Sequence, residues 1–161
     1  MKTQMKIAAT IGTVFLVLIG AQAEQITAKR RFTPNEIASL NHHGAGAGTS
    51  GVAGITTTVL YGNPEKPGLY TIMLVVPANT RIEAHSHQDN RSATVISGTW
   101  YLGYGDRFTD KDLKALPPGS FYTEPPGQTH FAQTRNEAAV VYITGFGPTS
   151  TTYVDDASHS Y

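Results

Sequence analysis

From residue 55 onward, short runs of β-branched and aromatic residues alternate with polar positions, and each run ends at a turn signal. Successive side chains of a strand point to opposite faces, so this alternation predicts β-strands rather than helices. Turn pairs such as Pro67-Gly68 and Ser97-Gly98 separate the runs. Eight segments fit the strand pattern, namely residues 55–61, 69–76, 81–87, 92–96, 99–104, 119–123, 129–133 and 138–143.

Eight short strands at this spacing predict an antiparallel sandwich or barrel, that is, an all-β fold. One interruption, residues 106–116, is polar and runs into Pro117-Pro118-Gly119, so we interpret it as a long loop with at most one short turn. The length of 161 residues suits one domain of ordinary size.

The first 23 residues have the pattern of an export signal. Lys2 and Lys6 precede an apolar stretch of about 13 residues, and Ala21-Gln22-Ala23 places small residues where a signal peptidase cleaves. A membrane span needs roughly 20 apolar residues, so no stable membrane anchor is expected. The sequence predicts cleavage near Ala23 and a periplasmic or secreted protein.

Residues 24–54 lack a clear period and are predicted to form an irregular, flexible N-terminal arm. Thr33-Pro34-Asn35-Glu36 combines a capping residue, a proline and an acid, which favours a turn or two of helix. The glycine-rich stretch that follows matches a dinucleotide-binding spacing, but no strand leads into it and no helix follows. His42 and His43 are isolated neighbours and are expected to be solvated. Residues 154–161 are predicted to be a C-terminal tail.

Composition excludes several classes of function. Twelve basic and twelve acidic residues balance without a basic cluster, which argues against nucleic acid as a partner. The chain has no cysteine, so disulfides, cysteine nucleophiles and thiolate metal sites are excluded. The sequence has no Gly-x-Ser-x-Gly elbow, so a serine hydrolase has no support. The expected partner is a small molecule.

The candidate chemistry rests on three histidines. His85 and His87 flank Ser86 on a predicted strand, so both imidazoles point to one face and can chelate an ion. His130 follows the Pro125-Pro126-Gly127 turn at the start of another strand. Three imidazoles suit a divalent transition metal, namely Fe, Zn, Mn, Ni or Cu. The alternative is three buried histidines that are satisfied by hydrogen bonds alone.

The segments around these histidines resemble the two signature motifs of the cupin superfamily. The first, G-x5-H-x-H-x(3,4)-E-x6-G, is matched by His85, His87 and Gly98, with Asn79 at the first Gly and Arg91 at the Glu. The second, G-x5-P-x-G-x2-H-x3-N, is matched by Gly119, Pro125, Gly127 and His130, with Thr134 at the Asn. The resemblance spans about residues 55–153 and extends to small exported bacterial single-cupin proteins. It implies a single jelly-roll β-barrel in which the three histidines are metal ligands.

Arg91 departs from the cupin pattern in a way that changes the charge of the site. A guanidinium cannot coordinate a cation, and at roughly 6 Å with an effective dielectric near 20 it opposes a divalent ion by about 5 kcal/mol. Glu124, directly before the Pro125 turn, is the nearest candidate for compensation. Four arrangements are open: an Arg91–Glu124 ion pair inside the barrel, Glu124 as a fourth ligand, Arg91 at the barrel mouth binding a substrate carboxylate, and Arg91 reaching solvent.

Two classes of function are consistent with such a site. A three-histidine metal with open positions suits oxygenase, isomerase or lyase chemistry, with Glu124 or Tyr122 as a catalytic base. A non-catalytic barrel would bind a small carboxylate or sugar acid through Arg91. Glu124 or Tyr122 pointing inward would favour catalysis. Trp100 is a further candidate contact for the substrate.

The predicted strand over residues 92–96 has apolar side chains on both faces. Val95 takes the inward parity and Ile96 the outward one. Since cupins often dimerise through a barrel face, the resemblance implies a homodimer.

Overall fold

The computed structural model describes residues 29–44 and 48–154. The chain separates into two units, Met1–Arg30 and Arg31–Tyr161, and the second contains every element described below. The predicted export signal lies outside the described residues and stays a prediction, which the mass of the mature chain tests. No helix within the described ranges is long and apolar enough to cross a membrane.

The described residues form one short α-helix, one 3-10 turn and ten β-strands. The helical elements are α1 (Pro34–Ala38) and the 3-10 turn Asp110–Asp112. The strands are β1 (Thr56–Tyr61), β2 (Gly68–Val76), β3 (Arg81–Ser86), β4 (Arg91–Ser97), β5 (Trp100–Tyr104), β6 (Lys114–Leu116), β7 (Phe121–Glu124), β8 (His130–Gln133), β9 (Ala139–Gly147) and β10 (Thr152–Tyr153).

The strands form two five-stranded antiparallel sheets with the orders β1-β2-β9-β4-β7 and β10-β3-β8-β5-β6. Buried and less buried positions alternate along β2, β4 and β9, as the sequence pattern predicted. The core lies between the sheets, because one buried cluster includes Ile72, Val95 and Ile143 from the first sheet and Ile82 and Leu102 from the second. Each such side chain contributes about 1.5–3 kcal/mol through its burial. The predicted all-β jelly roll is confirmed.

Two strands are absent from the sequence-based prediction. β6 lies in the segment that was predicted to be a loop, and that prediction is wrong for Lys114–Leu116. Only Leu116 of its three residues is buried, so the alternation is too short to recognise, and the strand exists because it pairs with β5. The short turn that was predicted there is the 3-10 turn. β10 has two residues, both exposed, and pairs with the end of β3.

The arm begins with the predicted helical turn. The Thr33 hydroxyl accepts from the backbone N–H of Glu36, and the Glu36 carboxylate accepts from the backbone N–H of Thr33, which is a capping box. Downstream, His43 pairs with Thr57 of β1 through both backbone hydrogen bonds. His42 and His43 are exposed, as expected, although an imidazole nitrogen of His42 lies 2.6 Å from the Thr58 hydroxyl.

A second part of the arm, residues 48–50, lies against the barrel. Thr49 and Ser50 are buried. The Thr151 hydroxyl donates to the Thr49 carbonyl at 2.8 Å, and the Tyr153 hydroxyl donates to the Ser50 carbonyl at 2.5 Å. These two bonds attach Thr49 and Ser50 of the arm to β10 and to the residue before it.

The predicted dimer face has the expected parity. Val95 is buried, whereas Ile96 is 42% exposed. The homodimer stays a prediction, which light scattering of the purified protein would test.

Close packing between β5 and β8 makes Gly103 sensitive to substitution. A Cβ at Gly103 would overlap the Phe131 ring, so Gly103→Ala is expected to lower the free energy of unfolding by about 1–3 kcal/mol. Gly44 is the matched control, because a Cβ there meets nothing within 4 Å, and Gly44→Ala should change stability by less than about 0.5 kcal/mol. Urea unfolding measures both variants, and equal stabilities would contradict the packing.

Candidate metal centre

The fold brings the three predicted metal ligands together. His85 on β3 lies directly opposite His130 at the start of β8, and His87 follows β3. The ring centroids are 4.4 Å apart for His85 and His130, 5.0 Å for His85 and His87, and 5.2 Å for His87 and His130. One ring nitrogen of each histidine lies within 4.8 Å of the other two, and all three residues are buried.

Backbone carbonyls orient the three imidazole rings in the same way. The Nδ1 atom of His85 lies 2.7 Å from the Glu83 carbonyl oxygen, and that of His87 lies 2.6 Å from Ser150. The Nδ1 atom of His130 lies 3.3 Å from the carbonyl oxygen of residue 128. A carbonyl can only accept, so each Nδ1 carries the proton and donates it, which leaves a lone pair on each Nε2. The buried Nε2 of His87 has no hydrogen-bond partner among the described residues. This is the arrangement that metal-binding histidines need.

The surroundings keep the three imidazoles neutral. Burial lowers the pKa of His85 to about 4, with a further contribution from His130. Burial and the Arg91 charge lower the pKa of His87 to about 3. Burial also lowers the pKa of His130, although Glu124 opposes this shift. Neutral imidazole is the form that coordinates a cation, so the site is ready to bind near neutral pH.

Arg91 and Glu124 form an ion pair inside the barrel. They lie directly opposite each other on β4 and β7, and each residue is 4% exposed. The Arg91 Nε donates to Glu124 Oε2 at 2.6 Å, and the Arg91 Nη2 lies 2.5 Å from the same oxygen. Of the four arrangements that the sequence left open, the first is therefore found. The exposure of Arg91 that the other two arrangements require, at the barrel mouth or in solvent, is wrong, because the guanidinium is buried. A role of Arg91 in binding a substrate carboxylate stays a prediction.

The Glu124 carboxylate also lies close to two of the histidines. Its Oε1 lies 3.6 Å from the Nε2 of His130, and its Oε2 lies 3.6 Å from the Nε2 of His87. Ligand atoms about 2.1 Å from a tetrahedral metal are about 3.4 Å apart. One carboxylate can therefore pair with Arg91 through Oε2 and approach a metal through Oε1, so the arrangement with Glu124 as fourth ligand is compatible with the ion pair.

Glu124 is ionised at neutral pH. Burial alone would raise its pKa, but the Arg91 charge, together with His130 and His87, lowers the pKa to about 2. The carboxylate thus balances the guanidinium, and the repulsion that Arg91 would exert on a cation is largely cancelled.

A small cavity of about 20 Å³ adjoins the three histidines. Trp100 and Tyr122, the two aromatic candidates, both line it and are buried. Burial, and next the Glu124 charge, raise the pKa of Tyr122 well above its ordinary value, so its hydroxyl keeps its proton. The indole N–H of Trp100 lies near this hydroxyl without reaching hydrogen-bond geometry. The seven candidate site residues therefore line one cavity, namely His85, His87, Arg91, Trp100, Tyr122, Glu124 and His130.

Asp89 has a role beside the site that sequence reasoning missed. Its side chain is buried and accepts from the Tyr70 hydroxyl at 2.7 Å and from the Thr149 hydroxyl at 2.6 Å. A Cβ at Gly145 would lie 2.5 Å from the Tyr70 hydroxyl, so only glycine leaves room for this network. The signal available in the sequence was an acidic residue two positions after His87, which strand alternation places on the same face as the two histidines.

Two departures from the cupin motifs have physical explanations. Asn79, at the first Gly position, has a φ of 56°, a left-handed conformation that Asn tolerates better than most residues. Thr134, at the final Asn position, is buried and accepts from the backbone N–H of Thr80 at 3.0 Å while donating to the Pro77 carbonyl at 2.5 Å. Both residues hold the loop between β2 and β3, so neither departure disturbs the histidines.

Solved structures show the same fold at low sequence identity. A polyketide cyclase from Streptomyces resistomycificus is 16% identical, with a TM-score of 0.61 over 83% of this chain and 90% of that one. A sugar phosphate isomerase of the cupin superfamily from Silicibacter pomeroyi is 14% identical, with a TM-score of 0.56 over 74% of this chain and 80% of that one. An RmlC-like cupin from Shewanella frigidimarina is 16% identical, with a TM-score of 0.55 over 76% of this chain and 93% of that one. At these identities the likeness shows the fold alone.

Sequence comparison assigns the family. No match was found among proteins of curated function. Residues 47–150 match the family model of the ChrR cupin-like domain, which is more than half of the 161 residues and includes all three histidines. The chain therefore belongs to the ChrR cupin-like family of the cupin superfamily.

Proposed function

We propose that this protein is a metal-dependent cupin enzyme that acts on a small molecule, with a divalent transition ion held by His85, His87 and His130. The observation that carries the proposal is the common orientation of the three buried imidazoles. Each Nδ1 donates to a backbone carbonyl, so three Nε2 lone pairs are left over. Fe, Zn, Mn, Ni and Cu all accept such a ligand set.

The ion would supply Lewis-acid or redox chemistry beside the cavity. Glu124 offsets the Arg91 charge by pairing with it, and its Oε1, which lies 3.6 Å from the Nε2 of His130, would be the fourth ligand. A carboxyl with a pKa of about 2 is a weak base, so Glu124 serves better as a ligand than as the proton acceptor.

Tyr122 is the candidate for moving a proton. Its hydroxyl belongs to a residue that lines the cavity, and its raised pKa keeps it protonated at neutral pH. At neutral pH it therefore acts as a hydrogen-bond donor to a substrate oxygen rather than as a base, and it transfers its proton only to an oxygen that becomes strongly basic during the reaction. A protonated hydroxyl on a residue that lines the cavity supports catalysis, of the oxygenase, isomerase or lyase type, over simple binding.

Non-catalytic capture of a small carboxylate is the second candidate function. The observation that favours it is the Arg91 guanidinium, whose Nη1 is buried without a partner among the described residues. Arg91 can hold an anion without any proton transfer.

Product analysis with a Tyr122→Phe variant separates the two functions. The metal-loaded protein is incubated with small carboxylates in air and under nitrogen, and NMR follows their conversion. Catalysis predicts that Tyr122→Phe keeps its metal but loses conversion about 100-fold or more. Tyr142→Phe is the control, since Tyr142 does not line the cavity. Carboxylates that bind but are recovered unchanged from the unaltered protein would support capture instead.

A further inference from the structure

The unpartnered polar atoms of the interior are concentrated at one place. Five buried side-chain polar atoms have no hydrogen-bond partner in the described part of the chain. Four of them belong to residues that line the histidine cavity, namely Ser50, His87, Arg91 and Trp100. Leaving such a group unpaired costs about 1–3 kcal/mol, so this concentration marks the cavity as a place that favours a polar ligand or water.

The chemistry of these atoms defines the kind of ligand. The Nε2 lone pair of His87 belongs to the proposed metal site, and three groups remain. Arg91 Nη1 and Trp100 Nε1 can only donate, and the Ser50 hydroxyl can donate as well. Three donors need an acceptor with several lone pairs, and the oxygens of an oxyanion are acceptors of that kind.

Ser50 belongs to the arm, and hydrogen bonds to its own carbonyl and to the preceding carbonyl fix its backbone. The Tyr153 hydroxyl bonds its carbonyl, the Thr151 hydroxyl bonds the carbonyl of Thr49, and the Tyr153 ring lies 5.3 Å from the His85 ring. The arm therefore contributes a donor to the cavity while its backbone is fixed to β10.

The size of the cavity limits the ligand. The cavity beside the histidines has a volume of about 20 Å³. A cavity needs about 10–15 Å³ to hold one water and about 150 Å³ to hold benzene. The space therefore holds about one to two water-sized groups, which corresponds to the oxygens of a very small oxyanion.

We propose that Ser50, Arg91 and Trp100 form a binding site for a small oxyanion of about the size of formate, next to the histidines. This inference rests on the proposed function, because a divalent ion beside the balanced Arg91–Glu124 pair leaves the site with a positive charge that attracts an anion. It narrows the substrate class from small carboxylates in general to the smallest of them.

Cobalt absorption provides the test. Co²⁺ is loaded into the protein, and its visible spectrum is followed while formate, acetate or benzoate is added at fixed pH and salt. Formate should shift the spectrum in a saturable way, and benzoate should bind at least about tenfold more weakly because the cavity excludes its ring. Benzoate binding as tightly as formate would overturn the size argument and the proposal with it.

Two conservative variants and a control identify the donors. Ser50→Ala and Trp100→Phe should each weaken formate binding about tenfold, the effect of one hydrogen bond to a charged group. Thr57→Val is the matched control, because the Thr57 hydroxyl is also buried and unpartnered but does not line the cavity. If neither Ser50→Ala nor Trp100→Phe differs from Thr57→Val in formate affinity, the proposal is wrong.

A second titration distinguishes failure of the metal site from failure of the anion site. A protein that does not take up Co²⁺ would contradict the proposed function, and formate is then titrated into the metal-free protein by calorimetry. The three donors alone still predict binding that Ser50→Ala weakens. The absence of heat in that titration would overturn the anion site as well.

Discussion

Glu124→Ala is expected to lower the free energy of unfolding of the metal-free protein by about 3–5 kcal/mol. The variant leaves the Arg91 guanidinium, which is 4% exposed, without its counter-charge in the interior. Removing one partner of a buried pair is costly because the remaining charge has lost both water and its partner. Urea unfolding at neutral pH measures the loss.

The exposed ion pair of Arg81 and Glu83 is the matched control. Its atoms are 2.6 Å apart, but the two side chains are 54% and 57% exposed, so Glu83→Ala should cost no more than about 1 kcal/mol. The double variant Arg91→Met with Glu124→Met should recover much of the stability lost in Glu124→Ala, since apolar residues of similar size can replace a buried pair. A Glu124→Ala protein as stable as Glu83→Ala would show that Arg91 reaches water.

The second large effect concerns metal affinity. His130→Ala removes one of three imidazoles whose nitrogens lie within 4.8 Å of one another. Removing a residue that only orients a metal ligand already lowers metal affinity by about 10–100-fold. Loss of a ligand itself should therefore weaken Zn²⁺ binding by about 100-fold or more. Competition with a chromophoric chelator measures the change.

The chain offers a histidine control for this experiment. His43 is exposed on the arm and takes no part in the cluster, so His43→Ala should bind Zn²⁺ as the unaltered protein does. Equal affinities for His130→Ala and His43→Ala would mean that Zn²⁺ binds elsewhere on the chain.

The parts of the fold that depend on local alternation could be predicted from the sequence. The alternation over residues 92–96 placed Val95 inward and Ile96 outward, and Val95 is buried whereas Ile96 is exposed. The spacing of His85, His87 and His130 within the cupin motifs placed three imidazoles in one region, and the structure groups them. Such inferences work because strand parity and motif spacing are properties of short segments.

What the sequence could not provide is set by contacts between distant segments. Arg91 lies beside Glu124 because β4 and β7 pair in one register, and strand alternation alone leaves that register open. Ser50 reaches the cavity because Tyr153, far along the chain, holds its carbonyl. The sequences around Glu124 and Ser50 have no local pattern that distinguishes these two residues from loop residues.

Metal titration of the protein, prepared without a metal-affinity tag and freed of metal with a chelator, tests the central claim most directly. Fe²⁺, Zn²⁺, Mn²⁺, Ni²⁺ and Cu²⁺ are each added to the metal-free protein, and calorimetry and elemental analysis give the affinity and stoichiometry. The three converging histidines predict one ion per chain for at least one of these metals, with binding lost in His85→Ala, His87→Ala and His130→Ala. A protein that binds none of the five ions, or binds them equally well in all three variants, would contradict the account.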